Sequence, residues 1–239
     1  MAEPRLFAIG DIHGCVAELA RLLDAIPAVA DDTIAFVGDY IDRGPDSRGV
    51  IDLLLGWRTR TPARTVFLRG NHEDMALGFL GRGGQWGEAW LRNGGTAALR
   101  SYGIDSYVQR SEVATRFPPA HVEFMAATEM RLAWGNYRVV HAGIRPGVSW
   151  DAQRTEDLLW IREEFLDHPH ELGATVVFGH TPHRRVVVGL PYKLGIDTGC
   201  VYGGALTCVA LPEGRVYQVR LGDTAVREES LAATARRRS

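Results

Sequence analysis

Five short segments of the 239-residue chain concentrate side chains that bind metals or move protons. They are Gly10-Asp11-Ile12-His13-Gly14, Gly38-Asp39-Tyr40-Ile41-Asp42-Arg43-Gly44, Gly70-Asn71-His72-Glu73, His141-Ala142-Gly143 and Gly179-His180-Thr181. Together they offer aspartate oxygens, imidazole nitrogens and an asparagine amide, without a thiolate. That set is not a cysteine-rich structural zinc site. Its imidazoles also set it apart from an all-oxygen Mg2+ or Ca2+ cage. Mn, Fe, Zn or Co suit it better. The groups are too many for one ion and about enough for two that share a carboxylate. Two ions ~3.5–4 Å apart lower the pKa of a shared water and clamp the attacking and leaving oxygens of a displacement, so metal-assisted hydrolysis is the chemistry to expect.

Each segment follows a short apolar run, as if placed by the end of a strand. Leu6–Ile9, Thr33–Val37, Thr65–Leu68, Tyr137–Val140 and Thr175–Phe178 read as those strands, with further strands at Arg185–Val188, Gly204–Ala210 and Val216–Leu221. Apolar residues at helical spacing from Val16 to Ile26, stopped by Pro27, and from Val50 to Trp57 read as helices between the first three strands. In open α/β sheets, ligands gather just outside the carboxyl ends of strands. The glycine-rich, Trp- and Leu-bearing stretch at about 74–134 reads as a helical, cap-like insert and a candidate specificity element. The polar stretch 222–239, ending in three arginines and a serine, reads as a flexible C-terminal tail. The whole is an α/β chain, with residues 1–221 as one domain.

The motifs GDIHG, GDYIDRGPDS, RGNHE, HAG and GHT, in this order, resemble those of the PPP-type metallophosphatases. That calcineurin-like group contains serine/threonine protein phosphatases and bacterial diadenosine-tetraphosphate hydrolases. The resemblance implies a four-layer αββα sandwich of two mixed β-sheets. It implies two divalent metal ions, with manganese the first choice and iron or zinc alternatives. Asp11 and His13 would bind the first ion, Asp39 would bridge, and Asn71, His141 and His180 would bind the second. His72 would be the general acid, with Asp42 orienting it. Arg43 and a second arginine after the HAG motif, for which we choose Arg162, would contact phosphate oxygens. Asn71 and Tyr202 would also touch substrate. The implied reaction is direct attack of metal-bound hydroxide on phosphorus. A serine/threonine protein phosphatase is the favoured reading, and a bis(5'-nucleosyl)-tetraphosphatase the alternative.

Composition is consistent with such an enzyme. Hydrophobic residues make up 46% and charged residues 23%, ordinary values for a globular chain. Lys+Arg 27 against Asp+Glu 29 gives a net charge of −2, which supplies no electrostatic reason for nucleic acid as the partner. The expected partner is a phosphoprotein or a phosphorylated small molecule. No apolar run is long enough for a membrane span. Three cysteines and no secretory leader point to a reducing cytoplasm. Cys15 and Arg21 share the C-x5-R spacing of thiol-dependent phosphatases, but the five residues between them read as helix.

Overall fold

The computed structural model describes residues 3–236. The chain begins with β1 (Leu6–Ile9), α1 (Val16–Ala25), β2 (Thr33–Phe36), α2 (Ser47–Arg58), β3 (Arg64–Phe67) and α3 (Asn71–Leu80). Helices α4 (Gly95–Ser101), α5 (Arg110–Arg116) and α6 (Pro119–Ala126) follow, then strands β4 (Arg131–Trp134) and β5 (Tyr137–Val140). Next come α7 (Thr155–Trp160), α8 (Glu163–Leu166), β6 (Thr175–Phe178), β7 (Val187–Gly189) and β8 (Lys193–Gly195). The described chain closes with β9 (Ala205–Leu211), β10 (Arg215–Arg220), β11 (Arg227–Ser230) and α9 (Leu231–Arg236). The strands form one sheet in the order β11-β10-β9-β1-β2-β3 and a second in the order β4-β5-β6-β8-β7. Both are mixed. β1, β2 and β3 run parallel, as do β5, β6 and β8.

Alternation along the strands decides the layering. In β1, Leu6 and Ala8 join the core between the sheets, while Phe7 and Ile9 join the core beneath the helices. β2 divides likewise, with Ala35 inward between the sheets and Ile34 and Phe36 toward the helices. In the second sheet Val139 and Val177 face the first, whereas Val140, Val176 and Phe178 face α7 and α8 through Leu158, Ile161 and Phe165. A strand with both faces covered needs apolar residues at every position, which is why these runs are continuously hydrophobic. The fold is α/β, two mixed sheets between helices, with all six parallel strands ending on one rim.

Three strands went unread in the sequence. β4 falls where the insert was expected to continue, and β8 is only three residues long. The third corrects the expected tail. Arg227–Ser230 is entirely polar yet pairs antiparallel with β10, from Gln218↔Arg227 to Arg215↔Ser230. An edge strand is held by backbone hydrogen bonds and can keep polar side chains in water. α9 then buries Leu231 in the inter-sheet core, and Thr234 is buried as well. Residues 237–239 of the expected tail lie outside the described residues. No helix among the described residues is long and apolar enough to cross a membrane.

A partly buried ion pair joins the start of β1 to the start of β2. Asp32 accepts from Arg5 N (2.9 Å), Nε (3.2 Å) and Nη2 (2.7 Å), and from Val29 N (2.8 Å). Burial alone would raise the Asp32 carboxyl; these donors hold it below its ordinary 3.8. Such a group stabilises the fold fully above its unfolded pKa, and the contribution is lost as pH falls through the depressed folded value. Asp32→Asn should therefore cost about 1–3 kcal/mol at pH 7. Urea melts of both proteins should show the gap closing below about pH 4. A gap independent of pH would exclude the carboxylate as its source.

Candidate metal centre and active site

Every metal-type residue sits a few positions past one of the six parallel strands. Asp11 follows β1, Asp39 follows β2, Asn71 opens α3 after β3, His141 follows β5 and His180 follows β6. Five non-glycine residues here have positive φ: His13, Asp39, Asp42, Arg43 and His180. Only Trp86 shares that property elsewhere among the described residues. Left-handed backbone costs of order 1–3 kcal/mol per residue and concentrates where a site must be held against its own preference. Two glycines make the approach possible. A Cβ on Gly38 (φ 110°) would lie 2.4 Å from Gly70 N, and one on Gly179 would lie 2.0 Å from Asp11 Oδ1.

Asp39 occupies the middle. Its Oδ2 lies 3.4 Å from His13 Nε2 and 3.9 Å from His72 Nε2, and its Oδ1 lies 3.5 Å from His141 Nε2. Asn71 Oδ1 is 2.9 Å from His141 Nε2 and 3.0 Å from His180 Nδ1. The Asp11 carboxylate accepts the His180 backbone N–H at 3.0 and 3.2 Å. All of these residues are buried.

The tautomers follow from the partners. His13 Nδ1–H donates to Ile41 O at 2.8 Å, and His141 Nδ1–H donates to Val37 O at 2.9 Å. A carbonyl only accepts, so each ring presents a bare Nε2 lone pair toward Asp39. Such an outer hydrogen bond is the usual support of a metal-bound imidazole. At His141, that lone pair also faces the Asn71 carbonyl oxygen. Acceptors crowded together in a buried space repel one another unless a cation lies among them. His13, Asp39 and His72, and separately Asp39, His141 and His180, each place ligand atoms within 4.8 Å of one another. The residues fit two cations, one on each side of Asp39.

Electrostatics separate the imidazoles into two kinds. Burial lowers His13 to about 3, lowers His141, and drives His180 well below its ordinary range. These three rings are neutral, the form that binds metal. His72 goes the other way. Burial opposes its charge, but Asp39 and Asp42 raise its pKa above 6.5. Its Nδ1–H donates to Asp42 Oδ2 at 2.7 Å, while its Nε2 is buried without a hydrogen-bond partner among the described residues. Asp39 is held far down in spite of burial, with His141, His72 and His13 nearest in effect. Asp11 is pushed well up by burial, then by Asp197 and Asp39. Closely set carboxylates of this kind call for positive charge.

The arginines and Tyr202 stand around this group. Arg43 Nη1 donates to His13 Nε2 at 2.6 Å, and its guanidinium lies 5.7 Å from the Tyr202 ring. Tyr202 is 60% exposed, so its ring forms part of the open rim. Arg162 lies between α7 and α8, and its charge lowers the proton affinity of both His180 and Asp197.

Three residues without an assigned role complete the site. Glu73, on the third residue of α3, accepts the backbone N–H groups of Gly70, Asp39, Tyr40 and Ile41 at 2.8–3.3 Å. It ties the Asp39 loop to the helix that carries Asn71 and His72. Burial and then Asp39 raise it to about 8 against those donors. A carboxylate three residues past a helix start was the available signal. Trp90 is fully buried, and its Nε1–H donates to both Asp42 oxygens at 2.9 and 3.1 Å. The insert thus reaches the centre and also accepts Arg43 N–H at Gly94 O (3.3 Å). Asp197 follows β8 and is raised to about 6, chiefly by burial. By contrast, Cys15 is buried at the start of α1, whose helix occupies the residues between it and Arg21. His121 is buried between the Tyr102 hydroxyl (2.8 Å) and Asp52 (3.0 Å).

This sandwich, with its acid and imidazole ligands at the strand ends, defines a metallophosphoesterase. The chain belongs to the calcineurin-like phosphoesterases, whose family model matches residues 4–208. Proteins of this family use a dimetal centre, and the chain is a metal-dependent phosphoric ester hydrolase. Serine/threonine-protein phosphatase 1 of Salmonella typhimurium is 33% identical over 219 residues, 84% of this chain and 89% of the relative. The asymmetrical bis(5'-nucleosyl)-tetraphosphatase PrpE of Anoxybacillus flavithermus is 29% identical over 236 residues, 88% and 92% of the two chains. A crystal structure provisionally named a diadenosine tetraphosphatase superposes with a TM-score of 0.69 at 26% identity, covering 92% of this chain and 94% of the other.

Proposed function

We propose that this hydrolase is a serine/threonine protein phosphatase. The observation that carries the reading is the Trp90–Asp42–His72 chain, which ends on a buried His72 Nε2 beside Asp39. Serine and threonine leave a phosphate ester as alkoxides, poor leaving groups that need a proton in the transition state. An anhydride leaves as a phosphate and needs that proton less. The relative at 33% identity, named a serine/threonine phosphatase, supports the same reading.

Asp11, His13 and Asp39 would hold one cation, and Asp39, Asn71, His141 and His180 the other. When bound, such ions neutralise phosphoryl oxygens and make water nucleophilic near neutral pH; manganese is our first choice among them. Arg43 and Arg162 would pair with the remaining phosphate oxygens, a task suited to a planar guanidinium. Asn71 and Tyr202 would touch substrate from the α3 side and from the rim. Asp42 fixes the His72 ring, and His72 Nε2–H protonates the departing oxygen. The catalytic domain would run past residue 221 to take in β11 and α9, which extend the first sheet and add Leu231 to the core between the sheets. Three cysteines in a chain of 239 residues, too few for a disulfide framework, fit a reducing, cytoplasmic setting.

The likeness to a named diadenosine tetraphosphatase over nearly the whole chain favours a second reading, hydrolysis of bis(5'-nucleosyl) tetraphosphates. One panel separates the two. Metal-stripped protein reloaded with Mn2+ is compared on a phosphoserine/phosphothreonine peptide, a phosphotyrosine peptide and diadenosine tetraphosphate. We expect kcat/KM at least tenfold higher on the first. A tenfold advantage for the dinucleotide would replace our reading with the second.

A further inference from the structure

A cavity of about 1190 Å³ opens beside the centre, between the loop after His180 and the strands β9, β10 and β11. Tyr202 and Gly199 form its near end, and the Tyr202 ring is the same one that lies 5.7 Å from Arg43. Arg184, Arg185, Arg220 and Arg227 line it, against two acids, Glu228 and Glu229. Both acids are engaged: Glu228 pairs with Arg215 at 2.5 Å, and Glu229 accepts from the Thr234 hydroxyl at 2.9 Å. Among the described residues, the ion pair of Arg227 is a loose one with Asp223 at 3.9 Å. Among the described residues, no carboxylate pairs with Arg184 or Arg220. The chain as a whole carries a net charge of −2, so this concentration of arginine is local.

We infer that this cavity is a substrate-docking groove that selects acidic residues flanking the phosphorylated serine or threonine. The inference rests on the protein-phosphatase reading and adds to it a sequence preference. A phosphate held at Arg43 leaves the peptide beside it to pass over Tyr202, and the next surface it meets is this groove. The volume exceeds what a phosphate needs and leaves room for several groups of a ligand. Extended chain advances ~3.3–3.6 Å per residue, so a few residues reach from the rim into it. Four arginines against two acids, one of them paired with Arg215, leave the lining with an excess of positive charge, which raises the local concentration of an oppositely charged substrate.

The test is a comparison of two phosphoserine peptides that differ only in their flanking residues, glutamate in one and alanine in the other. Individual exposed ion pairs are weak, and two or three acting together should give the glutamate peptide a roughly tenfold higher kcat/KM, mainly through KM. Raising salt should shrink that ratio, because exposed charges are screened. Replacing Arg184 and Arg220 together by alanine should bring the ratio close to one. Replacing both by glutamate should invert it in favour of a lysine-flanked peptide. The ratio is internal to each protein, so partial loss of folded enzyme leaves it unchanged. Equal turnover of the two peptides by the unaltered enzyme, or a ratio that survives Arg184→Ala/Arg220→Ala, would overturn the groove while leaving the phosphatase intact. Turnover of neither peptide would remove the phosphatase reading and the groove with it. A loss confined to diadenosine tetraphosphate in the double variant would give the cavity to a polyphosphate instead.

Discussion

Asp39→Asn protein is expected to hold fewer than two metal ions per chain and to lose roughly 10³-fold or more in kcat/KM. Asp39 faces two ligand groups at once, His13 through Oδ2 and His141 through Oδ1. No other described carboxylate in the site does so. It is fully buried yet favours the charged form, with His72, whose charged form its neighbours favour, close beside it. Asparagine keeps the shape and one acceptor oxygen, and it can still accept His72 N–H, now 3.1 Å from Oδ1. It cannot carry negative charge on both sides. Metal assistance is worth several kcal/mol of transition-state stabilisation, and each 1.36 kcal/mol is tenfold in rate. Metal analysis after Mn2+ loading, alongside circular dichroism as a check on folding, measures the first effect directly. Two full equivalents in folded Asp39→Asn protein would show that another group joins the cations.

The parts of this site that were legible in the sequence are those where one short segment carries both the strand and the ligand. Leu6–Ile9 followed by Asp11 and His13, and Thr33–Phe36 followed by Asp39, declare a buried strand and its functional end within about eight residues. Residues that reach the centre from far away were not legible. Trp90 meets Asp42 across 48 positions, and an indole N–H can find any acceptor. Asp197 follows a three-residue strand that lacks a long apolar run. β11 has no hydrophobic pattern at all; its pairing with β10 is a backbone property, and its consequence is that Arg227 enters the wall of the cavity. The insert was expected to serve recognition. Its observed contacts brace Asp42 and Arg43 from behind, so it acts on the geometry of the existing centre.

His72→Asn is expected to keep both metal ions and lose roughly 10²–10⁴ in kcat. Geometry alone allows His72 two roles, since its Nε2 lies near Asp39 with His13 in a ligand-like group. Electrostatics divide them. His13, His141 and His180 are held neutral, whereas Asp39 and Asp42 favour the charged form of His72. A proton donor and a metal ligand then respond differently to substitution. Loss of a ligand should lower metal content and depress every substrate alike. Loss of the donor should spare metal content and depend on the leaving group. A phosphoserine peptide, whose alkoxide needs the proton, should suffer most. p-Nitrophenyl phosphate, whose phenolate leaves unaided, should lose about tenfold less than the peptide. Trp90→Phe should reproduce the pattern in weaker form, because it removes the indole donor to Asp42 and leaves the Asp42–His72 bond of 2.7 Å in place. If metal content falls with activity in His72→Asn, and both substrates slow equally, His72 belongs to the coordination shell and the proton must come from elsewhere.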